Sequence, residues 1–106
     1  MTKKQQQLYA YLDAHPETTN SQRYKKAAEI YGVTDDGLSI TAITHIYQWV
    51  EAQDWKAQME TEEPIVAKYK KKGNGNYVAY IVRTSAGMYY RCPKFIWETL
   101  NVEEHE

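Results

Sequence analysis

Lys68-Tyr69-Lys70-Lys71-Lys72-Gly73-Asn74-Gly75-Asn76-Tyr77-Val78-Ala79-Tyr80-Ile81-Val82-Arg83-Thr84 has the outline of a β-hairpin. Two runs rich in tyrosine and β-branched residues flank Gly73-Asn74-Gly75-Asn76. Asn-Gly tolerates the positive φ that tight hairpin turns require. A two-residue turn at Asn74-Gly75 pairs Lys72 with Tyr77 and Tyr69 with Tyr80. A second turn at Ser85-Ala86-Gly87 returns the chain into Met88–Cys92. The expected sheet is therefore three-stranded and antiparallel, over 65–72, 77–84 and 88–92. Its inner face would collect Ile65, Ala67, Tyr69, Val78, Tyr80, Val82, Met88, Tyr90 and Cys92. Its outer face would collect Lys68, Lys70, Lys72, Tyr77, Arg83, Tyr89 and Arg91. The segregation supports the register, since a one-residue slip reverses every side chain of a strand.

Upstream of Pro64 the period is helical. Thr2 and Gln5 form a capping box for a first helix over about 3–14, with Leu8, Tyr11 and Leu12 on its apolar stripe. His15-Pro16 ends it, because the residue before proline disfavours helical backbone. The polar segment 17–21 caps a second helix over about 21–31, where Tyr24, Ala27, Ala28 and Tyr31 share a face and Gly32 supplies a left-handed stop. A third helix is expected over about 38–54, with Ile43, Ile46, Tyr47 and Val50 inward and Thr41, Thr44, His45 and Gln48 outward. The Glu-rich stretch before Pro64 reads as a linker. Pro93 opens a short terminal helix with Phe95, Ile96, Trp97 and Leu100, followed by the acidic tail Glu103-Glu104-His105-Glu106. The fold class is α+β: three N-terminal helices, a three-stranded hairpin sheet and a short C-terminal helix. The 106 residues suit a single domain, with a helical half at 1–55, a hairpin half at 64–92 and a terminal helix and tail at 93–106.

Composition narrows the function. No run is apolar enough to span a bilayer, no apolar stretch follows Lys3 and Lys4 as in a secretory leader, and the one cysteine, Cys92, allows no internal disulfide. A cytoplasmic location follows as an expectation. His15, His45 and His105 lack metal-ligand spacing with one another or with Cys92, so no metal, cofactor or enzymatic role is expected. Net charge is only −1, but positive residues gather at Arg23, Lys25 and Lys26 and at Lys68–Lys72, while negative ones gather at Glu60, Glu62 and Glu63 and in the tail. Ten tyrosines stand against one phenylalanine, a bias that suits cores, interfaces and base-stacking surfaces alike.

The run Thr2–Leu12, with Ala28-Glu29-Ile30-Tyr31-Gly32-Val33-Thr34, resembles the winged-helix domains of LexA-like bacterial repressors, which share such a first helix and an Ala-x-x-x-Gly-Val-Ser/Thr helix-turn-helix signature. The resemblance implies a winged-helix domain that binds double-stranded DNA, a small transcriptional regulator of bacterial, phage or mobile-element origin acting as a homodimer. Thr41, Thr44, His45 and Gln48 of the third helix would face base edges, and Arg23, Lys25 and Lys26 would touch phosphates. On the hairpin, Lys68, Lys70, Lys72, Tyr77 and Arg83 would meet the nucleic-acid backbone, with tyrosines free to stack on bases. The same features have plainer readings. A polar helix stripe is commonly a solvated face, and strand lysines deter edge-to-edge aggregation. Two other functions fit as well: a phage-type inhibitor occupying a partner protein's nucleic-acid site, and a single-strand binder using the tyrosine- and lysine-bearing sheet face.

Overall fold

The computed structural model describes residues 1–105. The chain gathers into two compact units, Met1–Val50 and Glu51–Glu106.

In the first unit, α1 (Lys3–Ala14) and α2 (Asn20–Tyr31) each open on a capping box. Thr2 Oγ1 accepts from the Gln5 N–H (3.2 Å) while Gln5 Oε1 accepts from the Thr2 N–H (2.9 Å); Thr19 and Gln22 repeat the exchange. Each box satisfies two helix-end donors that would otherwise lack a partner. Gly32, at φ 70°, closes α2. Its N–H donates to Glu29 O, and the next N–H, of Val33, donates to Ala28 O. This left-handed stop is one that a Cβ-bearing residue adopts only with strain. After a 3-10 turn at Asp35–Gly37, α3 runs from Ile40 to Met59. Leu8, Leu12, Ala27, Leu38, Ala42, Ile46 and Trp49 form the core of this unit. Trp49 buries its ring and donates its indole N–H to Asp13 Oδ1 at 2.8 Å.

In the second unit, β1 (Ile65–Lys72), β2 (Val78–Thr84), β3 (Tyr89–Arg91) and β4 (Glu103–His105) form one sheet in the order β3-β2-β1-β4. The first three strands are antiparallel in sequence, and β4 lies parallel to β1. The short helix α4 (Lys94–Trp97) packs on β2. Val82, Cys92 and Trp97 are the buried centre, with Trp55, Ile65, Tyr80, Tyr90, Ile96 and Leu100 packed around them.

The α+β class is as the sequence implies, but the sheet has four strands and is mixed. The tail expected to be solvated contributes its edge strand. The α3 helix runs five residues past the expected end at Asp54, because Trp55-Lys56-Ala57-Gln58-Met59 contains no Gly or Pro to stop it. Its buried stripe is Ala42, Ile46 and Trp49, while Tyr47, placed inward by the sequence, is 52 % exposed.

The β1–β2 register also differs, by one residue. Lys72 lies opposite Val78 and Tyr69 opposite Ile81. Gly73 faces Tyr77 instead of Asn76: its N–H donates to Tyr77 O at 2.8 Å, and a Cβ there would stand 2.8 Å from the Tyr77 ring. The turn thus lengthens from two residues to three, Asn74-Gly75-Asn76, with Gly75 at φ 65°. At the other end of the hairpin a bulge at Val66 keeps Ile65 on the core face and turns Ala67 and Tyr69 away from it. Lys68, Lys70 and Lys72 therefore share the face of Val82 and Tyr80, not the face of Arg83 and Tyr89.

Candidate nucleic-acid interface

Register determines which side chains meet. On the face of the sheet away from Trp97, β1 places Tyr69 and Lys71, β2 places Ala79, Ile81 and Arg83 with Tyr77 just before it, β3 places Tyr89 and Arg91, and β4 places Glu103 and His105. Arg91, Ile81, Tyr69 and His105 lie in one row across the four strands, and Tyr89, Arg83, Ala67 and Glu103 in the next. Ring contacts agree with this layout. Tyr69 stacks on His105 at 4.9 Å and 17°, and meets Tyr89 at 5.7 Å. The Arg83 guanidinium stands 5.8 Å from the Tyr69 ring, and that of Arg91 stands 5.9 Å from the Tyr77 ring.

Ala67 is buried and Tyr69, Ala79, Ile81 and Arg83 are half-buried, but the outermost side chains of this face are aromatic and cationic. Tyr77 and Tyr89 are 52 % and 58 % exposed, and Lys71 and Arg91 are exposed as well. Such exposed rings and long cations stay folded against the sheet by cation–π and ring–ring attraction, each modest in water. Tyr69, Lys71, Ile81 and Tyr89 line a pocket of about 300 Å³. Partial desolvation pushes the Tyr69 phenol above its ordinary value, and hydroxyl contact with Tyr89 adds to the effect. The ring therefore stays uncharged at neutral pH and does not repel an anion. The face offers cations for phosphate oxygens and flat π surfaces for bases.

The residues singled out in the sequence scatter. Tyr77 and Arg83 lie on this face. Lys70 and Lys72 are exposed on the opposite one. Lys68 is a correction: it is only 7 % exposed, and its Nζ donates to Trp97 O and Leu100 O, both at 3.0 Å. It also lies 4.4 Å from the Trp97 ring and 3.9 Å from a Glu104 carboxylate oxygen. This lysine satisfies the end of α4 and has no free face for phosphate.

Arg23, half-buried, donates to Asn20 Oδ1 and Pro16 O and lies against the Trp49 ring, while its Nε is buried without a hydrogen-bond partner. Lys26 pairs with Glu29 and covers the Tyr11 ring, whereas Lys25 is exposed. On α3, Thr41 and Thr44 are exposed but His45 and Gln48 are half-buried, and His45 Nδ1 is buried without a hydrogen-bond partner. The four do not form one open reading stripe.

Tyr69, Lys71 and His105 are the members of the open face that sequence reasoning missed. For Tyr69 and Lys71 the deciding residue is Asn76, whose place in the turn shifts the register by one. Burial pushes the Cys92 thiol up to about 11, so it is not a nucleophile at neutral pH. Among the described residues no cluster of His, Cys, Asp and Glu has the makings of a metal site, and no helix is long and apolar enough to cross a membrane. Compared with known proteins, the chain matches no family model, no curated protein and no solved structure.

Proposed function

We propose that this protein binds single-stranded nucleic acid on the open face of its sheet. The observation that carries the reading is the gathering of Tyr69, Tyr77 and Tyr89 with Lys71, Arg83 and Arg91 on one face, opposite the face that packs the core. Bases of a single strand present π faces to tyrosines, and each stacked base contributes about 1–3 kcal/mol; the cations follow the backbone by neutralising phosphates. A duplex keeps its bases stacked on one another and offers a flat sheet only its phosphates. The net charge of −1 is no obstacle, because among the described strand residues Glu103 is the one carboxylate on this face.

Fluorescence anisotropy with labelled oligothymidine and with a duplex of equal length tests the reading. Single strand should bind more tightly, and the double variant Tyr77→Ala/Tyr89→Ala should weaken it at least about tenfold, since even one lost stack has that effect. Both rings are more than half exposed, so thermal stability should hardly move. A preference for duplex would sink the proposal and return attention to Thr41 and Thr44 of α3.

A further inference from the structure

The pocket lined by Tyr69, Lys71, Ile81 and Tyr89 is more than a patch of the platform. We infer that it is a seat for one unpaired nucleobase, so that the strand is held by a single seated base and by looser stacking elsewhere; the inference rests on the single-strand reading above. Its volume, about 300 Å³, is at the small end of the ~300–1,000 Å³ usual for ligand pockets, which suits one planar ring system. The lining divides by chemistry. Ile81 is apolar, Tyr69 and Tyr89 are aromatic, and Lys71 is cationic. Apolar and aromatic walls favour a flat, weakly polar ring, and a cation beside them favours the phosphate that such a ring carries.

Two features hold the walls before anything binds. His105 stacks on Tyr69 from the β4 side, and the Arg83 guanidinium lies by the same ring. Tyr69 is thereby fixed, with Tyr89 against it at 5.7 Å, and a base would rest over the hollow that both rings border with Ile81 and Lys71. A wall that is already ordered loses less rotamer freedom when a base arrives than a free surface tyrosine does. Tyr77 and Arg91, by contrast, form an exposed pair 5.9 Å apart, suited to a neighbouring base that merely stacks.

The experiment uses strands whose sugars lack bases except at chosen positions. Affinity is measured by anisotropy for an all-abasic strand and for strands of the same length carrying one, two or three thymines. A seat predicts a large first step, about tenfold, and smaller later ones, because any register can place the first base in the pocket. Equal steps would overturn the seat and leave a plain platform. No gain from any base would also overturn it, leaving only a phosphate-binding surface. If neither abasic nor full strands bind, the single-strand reading itself falls. Ile81→Trp should fill the pocket and erase the first step while abasic binding persists. Tyr69→Phe, which keeps the ring, should preserve the step, and Tyr69→Ala should abolish it. A large first step surviving in Ile81→Trp with an unchanged melting temperature would place the base somewhere else.

Discussion

The two faces of the sheet reverse the ordinary assignment of residue types. Toward Trp97, where apolar side chains belong, β1 contributes Lys68; away from it, where solvated charge belongs, the same strand contributes Tyr69. The core face can hold a lysine because everything around Lys68 answers its charge. Two carbonyls at the end of α4, the face of an indole and a carboxylate at the rim take the place of water. The open face holds tyrosines because each ring is met by a cation or another ring. A buried charge is tolerated only with such partners, and a solvent-facing aromatic cluster costs solubility without a use. The contrast separates residues that keep the fold from residues free to bind, and they alternate along one strand.

The largest test of that separation is at Lys68 itself. Lys68→Met keeps most of the apolar stem but takes the ammonium from Trp97 O, which keeps the Leu100 N–H at 3.3 Å, and from Leu100 O. A hydrogen bond from a charged donor contributes about 1.5–3 kcal/mol. Denaturant unfolding should therefore show a loss of a few kcal/mol. Lys70→Met, at an exposed position two residues on, should stay within about 0.5 kcal/mol of the parent. Equal effects at the two positions would mean that the core face of β1 has been misassigned.

Cys92 offers a second, pH-dependent reading of the core face. Its thiol titrates near 11 in the fold against 9.0 for the free group, so the native state holds the proton that the unfolded chain releases first. The sign is then fixed. Stability is unaffected below pH 9, and falls as pH rises from 9 toward 11. At about 1.4 kcal/mol per unit the loss approaches about 2–3 kcal/mol. Tyr69 and Tyr90, whose phenols are also raised, act in the same direction. Melting curves of the parent and of Cys92→Ala across this range should converge as pH rises; parallel curves would show that the thiol is solvated.

How far the sequence reveals these features depends on whether the signal is local. The capping box of Thr2 and Gln5 and the stop at Gly32 are each set by a few consecutive residues, and both stand where the sequence puts them; the hairpin turn falls at Asn74-Gly75 as well, but takes in Asn76. Register is not local. Whether Gly73 faces Asn76 or Tyr77 depends on a turn of two residues or three, with the Tyr77 ring lying where a Gly73 Cβ would stand, and whether Ile65 and Lys68 share a face is decided by the bulge at Val66. Hydrophobic patterning misled because it treats lysine as an outward residue, whereas Lys68 is drawn inward by the carbonyls of a helix that lies about thirty residues away along the chain. The edge strand Glu103–His105 was hidden for a related reason: three residues, mostly charged, carry no strand pattern, and only the free edge of β1 makes them one. Tyr77 and Arg83 were nevertheless read as members of a binding face, since the β2 and β3 alternation does not depend on the slip in β1.

The smallest effect, and the finest test of the two faces, lies in neighbouring lysines. Lys71 and Lys72 are adjacent, both exposed, and carry the same charge, but they point to opposite sides of the sheet. Successive residues of a strand are only about 3.3 Å apart, well inside the ~10 Å screening length at 0.1 M salt. The general field at the open face therefore changes by a similar amount when either charge is removed. Direct contact with a phosphate does not behave this way. Only a lysine that displaces a condensed counterion contributes to the slope of log affinity against log salt, by about 0.7 for each contact on a single strand. Lys71→Gln should thus lower that slope by about 0.7, whereas Lys72→Gln should leave it almost unchanged and weaken binding slightly at low salt alone. Anisotropy titrations of oligothymidine at several salt concentrations would read both quantities. If the two variants lose the same slope, the strand is not confined to the face that bears Tyr69 and Tyr89, and the lysines act as one diffuse cationic hairpin.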